Sequence, residues 1–216
     1  MKTNDLNGIN HPSVSTILKA TQSPESLVAL SRWRKKIGND QANQIVTNRR
    51  RLGEALHQLI KENLQGKSPV PCNSIIKHYW YSIQSVLTKV SDVQLVETVV
   101  PNYVERYVGK VDLVASYQGV PHFIEWVTAE EPKLNLSKLY DKPLQLVAYG
   151  GAINRYYGNS LCGSKISQAL IVVALPDRDA EIFQLDRDRI IQYWLEWRHR
   201  LDLFYSNPET SELFAS

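Results

Sequence analysis

Residues 111–126, VDLVASYQGVPHFIEW, read as two alternating strands joined at Gln118-Gly119. A two-residue connection of that kind is a tight hairpin turn, and it fixes the register of both arms. Tyr117 then faces Val120, and counting back along the two arms sets Asp112 opposite Glu125 on one face of the sheet. Cross-strand partners have Cβ atoms only about 4.5–5.5 Å apart. Two carboxylates that close repel each other unless they share a cation or one of them is protonated. Their neighbours on the same face, Val114 and Phe123, are apolar, so bulk water does not bathe the pair along its whole length. Carboxylate oxygens and water are the natural ligands of Mg2+ or Mn2+. The plain alternative is a pair of solvated charges near a sheet end.

Outward from this hairpin the chain changes texture. After Asp92, the segments QLVETVVP, VGKVDLVASY, VPHFIEWVTA and ISQALIVVAL are β-branched-rich and of strand length, and AEIFQLD predicts a shorter edge strand. KPLQLVAYGGAINRYYG, with Pro143 at its start, predicts the helix between the third and fourth strands. A last helix from about Arg187 to Tyr205 presents Ile190, Ile191, Trp194, Trp197, Leu201 and Phe204 to a core.

Before Asp92 the pattern is helical. SPESLVALSRWRKKIG has a Ser cap, Pro at the first position and a closing Gly38. A second helix runs from about Gln41 to Asn63, and a third from a Ser74 cap to about Val90. The whole predicts an α/β fold, a mixed central sheet sandwiched by helices. Residues 1–91 form a helical amino-terminal part and residues 92–216 the sheet-containing core of a single compact domain.

Composition is that of an ordinary soluble protein, 43% hydrophobic and 22% charged, so neither a disordered nor a membrane-embedded chain is expected. The net charge of +3 divides unevenly. Residues 1–67 carry eleven Lys/Arg against five Asp/Glu, net +6, and the remainder is net −3. A basic third joined to a slightly acidic body suits a polyanionic ligand, although solvated helix faces give the same count. Cys72 and Cys162 have neither a disulfide-framework nor a metal-ligand spacing, which suits a reducing cytoplasm. The start MKTNDLNGINHPS has no apolar leader pattern, and ALIVVAL at 169–175 is far too short to span a bilayer.

GKVD (109–112), IEW-x-T (124–128) and Gln145-x-x-x-Tyr149 together resemble the RecB-like branch of the PD-(D/E)XK nucleases. Within it the chain is most similar to the mitochondrial genome maintenance exonuclease family and its bacterial relatives. The likeness spans most of the chain, from PSVSTIL (12–18) through GEALH (53–57) and YDKPLQLVAYGGAIN (140–154) to the Trp-rich final helix. It implies a restriction-endonuclease-like α/β/α sandwich and a metal-dependent DNA exonuclease acting on single-stranded ends; separately, a monomer is expected. Asp112 and Glu125 then match the metal-binding carboxylates, catalytic in the sense that they hold Mg2+ (or Mn2+). His57 and the backbone carbonyl of Trp126 match further metal ligands. Read from spacing alone, His57 borders an apolar helix face and suits a core position equally. Gln145 and Tyr149 match the motif that orients metal-bound groups or DNA, and Glu97 stands behind the ligands.

The departure is Val127, where the family has lysine. Position 127 faces position 110, which is lysine, and strict alternation sets Lys110 on the face of Asp112. Lys110 is therefore the candidate for the missing amine, and a surface lysine is the alternative. A slip of one residue carries it to the other face. Arg49, Arg50 and Arg51 are candidates to track a DNA backbone, Trp33 or Trp80 to stack bases or fill core, and Lys133, Lys138 and Lys142 to grip phosphates or simply face water. Two rivals stand at this level: a catalytically inactive nuclease-fold DNA-binding protein, and an interaction protein using the sheet and Trp-rich helix as an interface.

Overall fold

In a computed structural model of the chain, residues 3–4, 10–211 and 214 are described. Gln118 and Gly119 take φ of 51° and 80°, the paired positive values of a type I′ turn. That turn joins β4 (Tyr107–Tyr117) to β5 (Val120–Thr128), with Tyr117 against Val120 as the spacing predicts. β3 (Val90–Asn102) pairs antiparallel with β4 on the outer side. β6 (Ala169–Ala174) pairs parallel with β5, and β7 (Glu181–Leu185) closes the far edge antiparallel to β6. The sheet order is β3-β4-β5-β6-β7, a mixed sheet. Parallel pairing of β5 and β6 requires a crossover, and α6 (Lys142–Tyr156) supplies it.

Helices cover both faces. On one lie α1 (Val14–Ala20), capped by Ser13, α6, and α7 (Arg187–Ser206), capped by Asp186. Their core holds Ile17, Val147, Ile153, Trp197 and Phe204 against Phe123 and Ile171. On the other lie α3 (Asn39–Leu64), α4 (Ser74–Ser82) and the short α5 (Gln84–Leu87), whose Leu56, Ile60, Ile76 and Trp80 meet Leu113, Ile124, Trp126 and Val172. Trp80 is thus a core residue. α2 (Pro24–Ile37) buries none of its side chains and carries its cations toward Gly38. Among the smaller pieces, β1 (Thr3–Asn4) pairs with β2 (Asn10–His11), and α8 (Pro208–Ser211) follows α7.

Three sequence expectations change. The third helix is capped by Asn73 and breaks at Ile83 into α4 and α5. Ser82 Oγ donates to the Tyr79 carbonyl and accepts the Leu175 amide, tying the break to the end of β6. Ile191, expected in the core, is 47% exposed because α7 presents only Trp197, Leu201 and Phe204 fully inward. PSVSTIL, not assigned an element from sequence, is the short helix α1. No helix among the described residues is long and apolar enough to cross a membrane.

The strict alternation of β4 also fails. Tyr107 and Val111 belong to the α6-side core, yet Leu113, two residues on, belongs to the α3-side core. Facing β4, Glu97 on β3 has φ of 49°, in the left-handed region. Leu95 packs on the α6 side and Val96 on the α3 side, but Val100 is again on the α6 side, so β3 changes phase with β4. The change falls at Glu97 and Asp112.

Gly109 makes one close approach possible. A Cβ there would lie 2.3 Å from the Tyr149 ring, which is itself buried. Gly109→Ala is expected to lose roughly 1–3 kcal/mol by overpacking. Urea unfolding of the variant checks it, and an unchanged midpoint would show that the ring can move aside.

Candidate metal centre

The β4–β5 ladder runs from Tyr117–Val120 to Leu113–Ile124, one step short of Asp112 and Glu125. There a side chain takes over, as Asp112 Oδ2 accepts the Trp126 amide at 3.0 Å. Both acids are inside, with Asp112 9% and Glu125 2% exposed. Burial, then the Glu125 charge, pushes Asp112 up to about 8, with His57 opposing. Glu125 Oε2 is buried and has no hydrogen-bond partner.

His57 projects from α3 into this cluster. Its Nδ1 lies 2.8 Å from Glu97 Oε1 and 3.6 Å from Asp112 Oδ1, and its Nε2 lies 3.2 Å from the Trp126 carbonyl. Both ring nitrogens face acceptors, the arrangement of an imidazolium. Burial opposes that charge, but the Glu97 hydrogen bond and the charges of Asp112, Glu97 and Glu125 raise the pKa to about 9. Burial alone would raise Glu97 too; His57 and the Lys110 ammonium instead hold it down at about 2.

His57, Glu97 and Asp112 each offer one ligand atom, all within 4.8 Å of one another. Glu125, with its unpartnered oxygen, lies near enough on β5 for its charge to raise both His57 and Asp112. Imidazole nitrogen with several carboxylate oxygens fits a divalent cation such as Mg2+ or Mn2+. Glu97, placed behind the ligands by the sequence, lies against His57 Nδ1 and offers an oxygen to the same cluster. A pocket of about 360 Å³ opens beside His57, Glu97 and Lys110 on the α3 side.

The phase change in β3 and β4 corrects the expectation for Lys110. It leaves the face of Glu125, turns toward α3 and pairs with Glu97, its side chain 57% exposed. The amine on Glu125 comes from α6. Lys142 Nζ donates to Glu125 Oε1 at 2.7 Å. Burial disfavours the Lys142 ammonium, but the charge and hydrogen bond of Glu125, with Asp112, carry its pKa above the ordinary value. From sequence Lys142 is one of three loop lysines with no assigned partner. The available signal was its place at the first turn of the helix bearing Gln145 and Tyr149.

The other candidates divide. Gln145 Nε2 donates to the Tyr149 hydroxyl. Burial and the charges of Glu125 and Asp112 raise the Tyr149 pKa, while Gln145 and Ser15 of α1 oppose the shift. Gln145 and Tyr149 both lie on the face of α6 that bears Lys142. Arg49 and Arg50 do not enter it, pairing instead with Glu130 and Glu54 on the surface. Arg51 is likewise exposed on α3. Lys133 sits in the loop after β5, where its amide and that of Leu134 donate to the Glu181 carboxylate.

No family model matches the chain. Mitochondrial genome maintenance exonuclease 1 of Mus musculus is 36% identical over 205 residues, 88% of this chain and 58% of that protein. The protein of the same name from Homo sapiens is 32% identical over 210 residues, 94% of this chain and 60% of that one. The Xenopus tropicalis protein is 31% identical over 210 residues, 93% and 59% of the respective chains. The chain therefore spans about three fifths of the length of the curated relatives it matches. A solved structure described as the crystal structure of SSO0001 superposes with a TM-score of 0.43 at 15% identity, over 90% of this chain and 76% of that one, too loosely to carry an argument.

The charges give a pH prediction for the metal-free protein. An acid whose pKa rises on folding favours the folded state only while protonated, so Asp112 loses contribution as pH climbs from 3.8 toward about 8. A base with a raised pKa contributes fully below its unfolded value, and His57 loses that contribution as pH climbs from 6.5 through about 9. Without metal, stability should therefore fall from mildly acidic toward alkaline pH. Asp112→Asn should melt higher than wild type, by a margin that widens as pH rises through the range over which Asp112 ionises. Paired melting curves in EDTA check this, and a margin independent of pH would contradict it.

Proposed function

We propose that this chain, a homologue of the mitochondrial genome maintenance exonucleases, is a divalent-metal-dependent DNA exonuclease acting on single-stranded ends. The observation that carries the reading is the cluster of His57, Glu97 and Asp112 ligand atoms within 4.8 Å of one another, with the buried Glu125 charge acting on His57 and Asp112, in a chain whose relatives are named exonucleases. Asp112, Glu125 and His57, with the Trp126 carbonyl, would hold Mg2+ or Mn2+. When bound, such an ion supplies Lewis acidity toward a phosphate oxygen and a more acidic attacking water.

The protein's own groups do the rest. Glu97 fixes the ring of His57 through Nδ1, as carboxylate partners of ligating histidines commonly do. Gln145 and Tyr149 present an amide and a phenol beside Glu125 to orient the scissile phosphate. Arg49 and Arg51 line a groove of about 600 Å³ between α3 and α4 that reaches Glu130, just beyond the end of β5. That groove suits a strand backbone led toward the carboxylates, with Arg50 beside it on α3.

End-labelled single- and double-stranded DNA, incubated with Mg2+, Mn2+ or EDTA, tests the activity. Single strands should shorten only with metal, Glu125→Gln should abolish shortening, and Asp112→Asn should lose the rise in melting temperature that Mn2+ gives wild type. Val127 in the family's lysine position favours one rival, a silent DNA-binding module. A wild type that binds DNA yet cuts nothing with either ion would establish it.

Binding should weaken steeply with salt, because each phosphate neutralised by the protein releases counterions. Replacing Arg49, Arg50 and Arg51 together by Ala should flatten log affinity against log salt by about one unit for each phosphate no longer bound. An unaltered slope would move the strand's track off α3.

A further inference from the structure

We infer that Lys142, entering from the first turn of α6, is the catalytic ammonium of this site, in place of the lysine absent at Val127. The inference rests on the nuclease reading and adds to it the identity of one working group.

Three lysines compete for the role. Lys110 has turned to the α3 side and is paired with Glu97. Lys133 belongs to a loop anchored on Glu181. Of the three, Lys142 alone places its Nζ on one of the two facing carboxylates, 2.7 Å from Glu125 Oε1, whose side chain is 3% exposed. Its own side chain is 35% exposed, so part of its length faces solvent while Nζ rests on Glu125.

The surroundings hold it there. Lys142, Gln145 and Tyr149 are spaced i, i+3 and i+7, which puts ammonium, amide and phenol on one face of α6. The start of that helix is fixed from outside. Arg200 of α7 donates to Asp141 Oδ1 at 3.4 Å, to Thr21 Oγ1 at 2.6 Å and to the Leu18 carbonyl at 2.6 Å. Asp141, the residue before Lys142, is thereby tied to α1 and α7 together.

Val127 lies two residues beyond Glu125 on β5, and its side chain packs on the α6-side core. A lysine at 127 and the lysine at 142 therefore approach Glu125 from the same side of the sheet. The phosphate meets a positive charge at a point in space, whichever element delivers it. At that point the ammonium donates hydrogen bonds to the attacking water and to a phosphate oxygen gaining charge, and exchanges no atom with either.

A salt bridge that merely neutralises Glu125 in the metal-free protein would look the same at rest, so the test must separate the two. Single-turnover and steady-state cleavage of single-stranded DNA are measured for Lys142→Met and Lys142→Gln, the second guarding against a packing defect in the first. kcat should fall about 10²–10³-fold, as for loss of one positioned stabiliser, with KM nearly unchanged. Mn2+ affinity of the DNA-free variants, by titration calorimetry, should match or exceed wild type, since a competing cation has left Glu125. Adding Val127→Lys to Lys142→Met should restore most of kcat. A kcat within about twofold of wild type in both variants overturns the assignment, as does a loss that only follows weakened Mn2+ binding. A large loss in Lys110→Met with none at Lys142 would move the amine to the α3 side. Wild type that cleaves nothing defeats the nuclease reading itself, and this assignment with it; active wild type with active Lys142 variants defeats the assignment alone.

Discussion

Asp112 and Glu125 are two acids buried beside each other, and the site is arranged around that repulsion. Unpaired buried charge is costly, and removing it from water is offset only by close partners of opposite sign. Each helical layer sends one: His57 comes from α3 and Lys142 from α6. The sheet contributes the opening. Because Asp112 accepts the Trp126 amide through its side chain, the β4–β5 ladder stops at Leu113 and Ile124. The two arms need not continue as a closed pair, and the gap is where the charges meet. Without a metal the protein's own cations offset only part of that repulsion, and a divalent ion would compete with them for the same oxygens.

The change of strand phase at Glu97 and Asp112 follows from the same place. A non-glycine residue at φ of 49° is uncommon, and such strain of about 1–3 kcal/mol tends to persist where surrounding structure enforces it. Here the enforcing contacts are His57 and Lys110, both bonded to Glu97. Turning Glu97 inward gives the imidazole a partner and the cluster a third carboxylate. On β4 the matching break at Asp112 leaves Lys110 on the α3 side, where it pairs with Glu97.

Much of the fold is legible in the sequence because its signals are local. Gln118-Gly119 announces a turn that needs two positive φ values, and the turn alone fixes Asp112 near Glu125. The β-branched runs, the Ser23 cap and the Pro143 start appear where local preference puts them. What the sequence hides depends on tertiary contacts. Alternation predicts Lys110 beside Asp112 only if the strand is regular, and nothing in GKVDL advertises the break. The interruption at Ile83 comes from bonds between Ser82 and the end of β6, far along the chain. Lys142 is visible as a helix start, but its length of reach and its partner depend on how α6 is docked.

That docking is where sequence and chemistry join. Gly109 lets the Tyr149 ring lie against β4, while Arg200 pins the residue before Lys142 to two other helices. Gly109, with Gly150 against Phe123, thus lets α6 lie close to the sheet at its middle, and Arg200 holds its start. With both fixed, Lys142 has little freedom to miss Glu125. A lysine on β5 would need no such support, because the strand carrying Glu125 would position it directly. With Lys142 as the working ammonium, that task would pass to packing, and Gly109 and Arg200 would become part of how the charge is aimed.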